Sequence, residues 1–134
     1  MSINKFLGAA YKLSTSENFD EYMKAIGVGA IMRKMGNVVT PTVTLTEKDG
    51  LYTFTTSSTF KTTVIVFKPD EEFEEETADG RKVKSVVHFE GPVMTHIQRG
   101  EKTTTITREF SDELLKVVMV VGDVKCTRVY EKIK

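Results

Sequence analysis

Apolar residues recur along this chain with two different periods. Between residues 18 and 36 the spacing is helical. Phe19, Tyr22, Met23 and Ile26 fall at i, i+3, i+4 and i+7, which is one face of a helix. Asn18 is placed to cap that helix and Glu21 to complete a capping box, with Gly27 as the C-terminal glycine. A second short helix fits residues 30–35 and closes at Gly36-Asn37. Helices this short are marginal alone and must lean on the rest of the chain.

Elsewhere the period is two. Strands are predicted over about residues 6–13, 42–45, 52–55, 60–67, 72–77, 84–89, 94–98, 103–110, 115–121 and 125–131. Turn signals separate many of them: Asp49-Gly50, Asp79-Gly80, Gly91-Pro92, Gly100-Glu101, Ser111-Asp112 and Gly122-Asp123. Ten short strands with tight connections predict an antiparallel sandwich or up-and-down barrel. Closure would remove the exposed sheet edges.

Several strands carry threonine at every second position: Thr42, Thr44 and Thr46; Thr53 and Thr55; Thr103, Thr105 and Thr107. The plain reading is a strand former facing water. The alternative is a barrel whose interior is partly polar and wet. Arg128 and Tyr130 are two apart in the last strand and share a side with Cys126, while Arg108 shares a side with Ile106. Alternation alone favours outward arginines, because arginine is seldom buried without a partner.

The bulk properties narrow the function. At 134 residues the chain is one domain's worth, 1–134, and it is long enough to bury a core without disulfides or metal. Nineteen basic and nineteen acidic residues give zero formal net charge, so no basic field points to nucleic acid. One cysteine, Cys126, and two histidines, His88 and His96, argue against a disulfide and a zinc site. Neither histidine pairs recognisably with a nucleophile, so no enzyme is expected and both read as ordinary strand residues. There is no signal-peptide-like start and no membrane-spanning stretch, which makes a reduced, cytoplasmic setting the expectation.

Longer motifs add a family resemblance. NFDEYMKAIGVG at 18–29, RKMGN at 33–37, STFKT at 58–62, FEEETADGRKVKS at 73–85 and CTRVYEK at 126–132 resemble the cytosolic fatty-acid-binding proteins, in that family's order and spacing. The likeness spans essentially the whole chain. The helical segment and TREF at 107–110 look most like the arthropod members. Tyr11 departs from the pattern, standing where many members carry tryptophan.

This resemblance implies an all-β fold: a ten-stranded antiparallel up-and-down barrel, or clam, with a two-helix lid at about 18–36. It also implies a non-catalytic monomer that needs no cofactor and carries a long-chain fatty acid inside. In heart-, adipocyte- and myelin-type members two arginines and a tyrosine hold the ligand carboxylate. By motif these are Arg108, Arg128 and Tyr130, which turns both arginines inward. Phe19, Tyr22, Met23, Ile26, Val28 and Met32 would line the lid side of the cavity. Phe60 would stand at the portal, and Pro41, Thr56, Ala78, Asp79, Ile106, Val117 and Met119 would complete the lining. Lys24, Arg33 and Lys34, on or beside the lid, read as a solvated face or as a transient contact with anionic membranes. In some relatives basic residues here act in nuclear import. A retinoic-acid carrier of the same superfamily and a scaffold for protein partners are the competing readings.

Overall fold

Ten strands form one antiparallel sheet in the order β4-β3-β2-β1-β10-β9-β8-β7-β6-β5. The computed structural model describes residues 2–134. Along the chain they are β1 (Ala10–Glu17), β2 (Thr42–Lys48), β3 (Leu51–Ser57), β4 (Thr62–Phe67), β5 (Phe73–Glu76), β6 (Lys82–Glu90), β7 (Val93–Arg99), β8 (Thr104–Phe110), β9 (Leu114–Val121) and β10 (Val124–Lys132). The helices α1 (Phe19–Ala25) and α2 (Ala30–Val38) sit between β1 and β2. Because β1 pairs with both β2 and β10, the sheet curls into a nearly closed barrel. Closure is incomplete, since β4 and β5 are the two ends of the sheet. Side chains bridge part of that gap: Phe67 on β4 stacks on Phe73 of β5 at 5.7 Å.

The first strand begins later than its sequence suggests. Ile3–Phe6 forms a 3-10 turn instead, and Gly8 reverses the chain with φ at +85°. The turn puts Ile3 and Phe6, three residues apart, into the end of the barrel, where Phe6 stacks on Phe110 at 6.0 Å. Tyr11 packs edge-on against the same Phe110, and its hydroxyl donates to the Ser111 carbonyl at 3.2 Å. A plug of buried aromatics thus closes one end of the barrel. β1 then runs on through the polar residues 14–17, because β10 supplies backbone partners as far as Glu17.

The lid corrects two further expectations. Asn18 does not form a capping box. It has left-handed backbone with φ at 64°, and its side-chain amide donates to the Lys125 carbonyl. Asn18 therefore ties the start of α1 to the barrel wall, while Glu21 pairs with Lys24. Gly36 does not end α2, which continues to Val38. A Cβ at Gly36 would lie 2.9 Å from Met23 Sδ, so the missing side chain lets the two helices approach closely. Gly27, with φ at +92°, does end α1 as its position suggests.

The threonine ladders face outward. Val43, Leu45 and Phe54 are buried, so Thr42, Thr44, Thr46, Thr53 and Thr55 lie on the opposite face. In β8 buried Thr104 and Ile106 leave Thr105 and Thr107 outside. The polar interior is built from other residues.

Candidate functional site

Under the lid lies a cavity of about 260 Å³. Its apolar wall comes from Phe19, Tyr22, Met23, Ile26, Val28 and Met32 of the lid segment, with Pro41, Phe54, Ile65 and Ile106 from the strands. Thr56, Ala78 and Asp79 also line it. Phe60, 43% exposed, lines it from the β3–β4 turn, which lies beside the β5–β6 turn. Those turns are linked by Lys61, whose ammonium donates to the Ala78 carbonyl at 3.2 Å. Val117 and Met119 are not in the lining. Both are buried in the core cluster instead, with Met119 beside Ile106 and Cys126 in the ladders.

Val117 nonetheless organises the site. It lies opposite Arg108 on one side and Arg128 on the other. The two arginines are thus two strand spacings apart, roughly 10 Å between backbones, on one inner face. Arg108, Arg128 and Tyr130 all line the cavity. The Arg108 guanidinium lies 4.4 Å from the Phe54 ring centre, and that of Arg128 3.9 Å from Phe19. These aromatic faces offer partial compensation to desolvated cations.

Only one arginine has a fuller partner set. Arg108 donates to Nδ1 of His96 at 3.2 Å. The other ring nitrogen of His96, Nε2, is 2.8 Å from Oε1 of Glu75. An ionised carboxylate only accepts and a guanidinium only donates, so His96 is the neutral tautomer with its proton on Nε2. Glu75 also accepts from Ser85 Oγ at 2.7 Å and from Gln98 Nε2 at 3.1 Å. Burial pushes the Glu75 carboxyl upward, but the His96, Ser85 and Gln98 hydrogen bonds outweigh it and hold the carboxyl below its usual range. For His96 burial comes first and Arg108 adds to it, so its pKa is lowered despite Glu75. Burial likewise lowers Arg108. Glu75 ionised, His96 neutral and Arg108 charged form a buried relay with no net charge.

Arg128 stands apart from this relay. It is only 6% exposed, and among the described residues its Nε has no hydrogen-bond partner. The interior thus carries one excess positive charge, next to Tyr130, at one side of an otherwise largely apolar cavity. Such an arrangement suits a molecule with an apolar body and a single anionic group.

Glu75, Ser85, His96 and Gln98 escaped the sequence reading. Glu75 sits in the predicted strand 72–77 beside Glu72, Glu74 and Glu76, from which nothing singles it out, and His96 reads as an ordinary strand residue. The alternation carried a usable signal: Glu75 is in phase with Phe73 and Thr77, and His96 with Met94 and Gln98. No group of three or more histidine, cysteine, aspartate or glutamate side chains suited to a metal occurs among the described residues. No helix there is long and apolar enough to cross a membrane.

Comparison with known proteins places this geometry among relatives. Residues 8–133 match the lipocalin / cytosolic fatty-acid binding protein family. The muscle fatty acid-binding protein of Schistocerca gregaria is 46% identical over 131 residues, covering 96% of this chain and 98% of its own. The fatty acid-binding protein from brain tissue of Drosophila melanogaster is 55% identical, with a TM-score of 0.91 over 94% of this chain and 98% of its own. The Schistosoma mansoni fatty acid binding protein, solved in complex with arachidonic acid, is 43% identical, with a TM-score of 0.95 over all of both chains.

Proposed function

This chain belongs to the lipocalin / cytosolic fatty-acid binding protein family, and from that membership we propose that it binds and transports long-chain fatty acids in the cytoplasm, one at a time, as a monomer. It is a carrier, not an enzyme, and needs no cofactor. The observation that carries the reading of the site is Arg128, a buried cation with no ion-pair partner among the described residues, on the wall of a mainly apolar cavity. The ligand carboxylate meets Arg128 and Tyr130, with Arg108 reached directly or through water. The apolar tail supplies most of the affinity: some fourteen methylenes at about 0.8 kcal/mol each give roughly 11 kcal/mol before ordering costs. The anchor then decides which end enters first.

The test is calorimetric titration of delipidated protein with palmitate, oleate and all-trans retinoic acid. One-to-one binding of both fatty acids, tighter than retinoic acid, is the expected result. No binding of any of them overturns the carrier reading and leaves the fold.

The portal lies between the lid and the β3–β4 and β5–β6 turns, and the lid is the surface that meets anionic membranes. The three lid cations divide in this role. Arg33 is committed to the lid itself: it donates to Asp20 at 3.2 Å and to the Val28 carbonyl at 2.8 Å. Lys24 is paired with Glu21 and Asp20. Lys34 makes no ion pair among the described residues and shares an outer helix face with Ile31 and Val38, which are 82% and 70% exposed. That combination of apolar and basic side chains suits an anionic lipid surface. Lys34→Glu should slow transfer of a fluorescent fatty acid to phosphatidylserine vesicles by about fivefold or more, from about 1 kcal/mol per basic residue. An unchanged transfer rate removes the membrane role. Arg33→Ala should instead loosen the lid and lower stability.

A further inference from the structure

The barrel wall has a second stretch without strand pairing, and Arg128 lies beside it. β1 pairs with β2 only through residues 10–12, although it continues on β10 as far as Glu17. The last link on the β2 side is the Leu13 amide donating to the Pro41 carbonyl at 2.9 Å. Beyond it, residues 38–40 at the end of α2 lie beside residues 14–16 without pairing, and the β1–β10 register shifts between Leu13 and Thr15.

The groove between them encloses about 450 Å³ and is open on its outer side. Thr15, Ser16 and Thr40 line its walls, together with Ser14, whose hydroxyl donates to Glu131 at 2.7 Å. Asp20 and Glu21 lie at one end, but Asp20 is occupied by Arg33 and Asn37, and Glu21 by Lys24. Phe19, Val39 and Arg128 belong to both the groove and the main cavity. Arg128 is therefore a buried cation shared by two spaces, with its Nε unpartnered.

We propose that this groove is a headgroup site for long-chain acyl amides of small amino acids. The inference rests on the carrier reading, because the acyl tail must occupy the main cavity. The amide carbonyl stays on the cavity side near Tyr130. The head passes between β1 and residues 38–40, and its carboxylate meets Arg128 from the groove. Walls that carry the Thr15, Ser16 and Thr40 side chains, and whose two lining acids are both paired, can accept the amide and solvate the carboxylate.

The test titrates delipidated protein with oleate and with N-oleoylglycine, using the wild type, Thr40→Trp and Ser16→Trp. Each variant fills the groove from a different wall, and neither residue lines the main cavity. The expected result is binding of both ligands by the wild type, with N-oleoylglycine weakened about tenfold or more in both variants and oleate unchanged. Oleate binding without N-oleoylglycine binding overturns the headgroup site alone. So does an equal change for both ligands, or none, in both variants. Failure of both ligands on the wild type overturns the carrier reading beneath it.

Discussion

Arg128→Ala should weaken oleate binding about a hundredfold, from the loss of one or two charge-assisted hydrogen bonds at roughly 1.5–3 kcal/mol each. The reason is charge. Arg108 is engaged through His96 with Glu75, whereas Arg128 has an aromatic face and an unpartnered Nε. The carboxylate is therefore expected to be neutralised chiefly at Arg128. The same asymmetry predicts the sign of a second measurement. Removing a buried charge that has no anionic partner relieves a desolvation cost, so the ligand-free variant should be at least as stable in urea as the wild type. Loss of affinity without loss of stability separates an anchor from a structural residue. Calorimetry showing unchanged oleate affinity would keep the barrel and remove Arg128 from the site.

The fold was legible where local chemistry and tertiary structure agree. The helical stripe from Phe19 to Ile26 became the inner face of the lid. Asp49-Gly50 forms its hairpin turn with both φ values positive, as the dipeptide demands. Disagreement arose where a residue's partner is distant in sequence. Asn18 gave up its helix cap for a bond to Lys125, and no local rule anticipates a contact 107 residues away. Residues 14–17 look too polar for a strand, yet β10 supplies their hydrogen bonds. The arginines show the limit most clearly. Alternation assigned them to a common face but not to the inside, because nothing within β8 or β10 reveals Glu75 or the cavity. The family resemblance supplied the direction. It did not supply Glu75, His96 and Gln98, which distinguish the two arginines electrostatically.

Glu75 should be the most sensitive of these positions for stability. Glu75→Ala removes the acceptor from three buried donors on β6 and β7, those of Ser85, His96 and Gln98. It also leaves Arg108 without its counter-charge. Breaking a buried charged network by deleting one partner typically costs about 3–5 kcal/mol, and that loss is expected in urea unfolding at pH 7. Glu75→Gln keeps an acceptor oxygen and should cost less. Acid should reach the same cluster by another route. His96 has a lowered pKa, so below the usual histidine value of 6.5 the unfolded chain takes up a proton that the fold refuses, and stability falls. Glu75 is also lowered, so its contribution is present above the unfolded carboxylate value of 4.5 and is lost as the pH falls through its folded value. Both act in the same direction: stability should drop in two stages, from about pH 6.5 downward and again below about 4.5. In Glu75→Gln the lower stage should shrink while the histidine stage persists, because Arg108 still faces His96. A variant within 1 kcal/mol of wild type, with its acid profile intact, would mean that the relay does not hold these strands together. Arg108 would then be a second free cation, and the carboxylate would be shared between the two arginines rather than held mainly at Arg128.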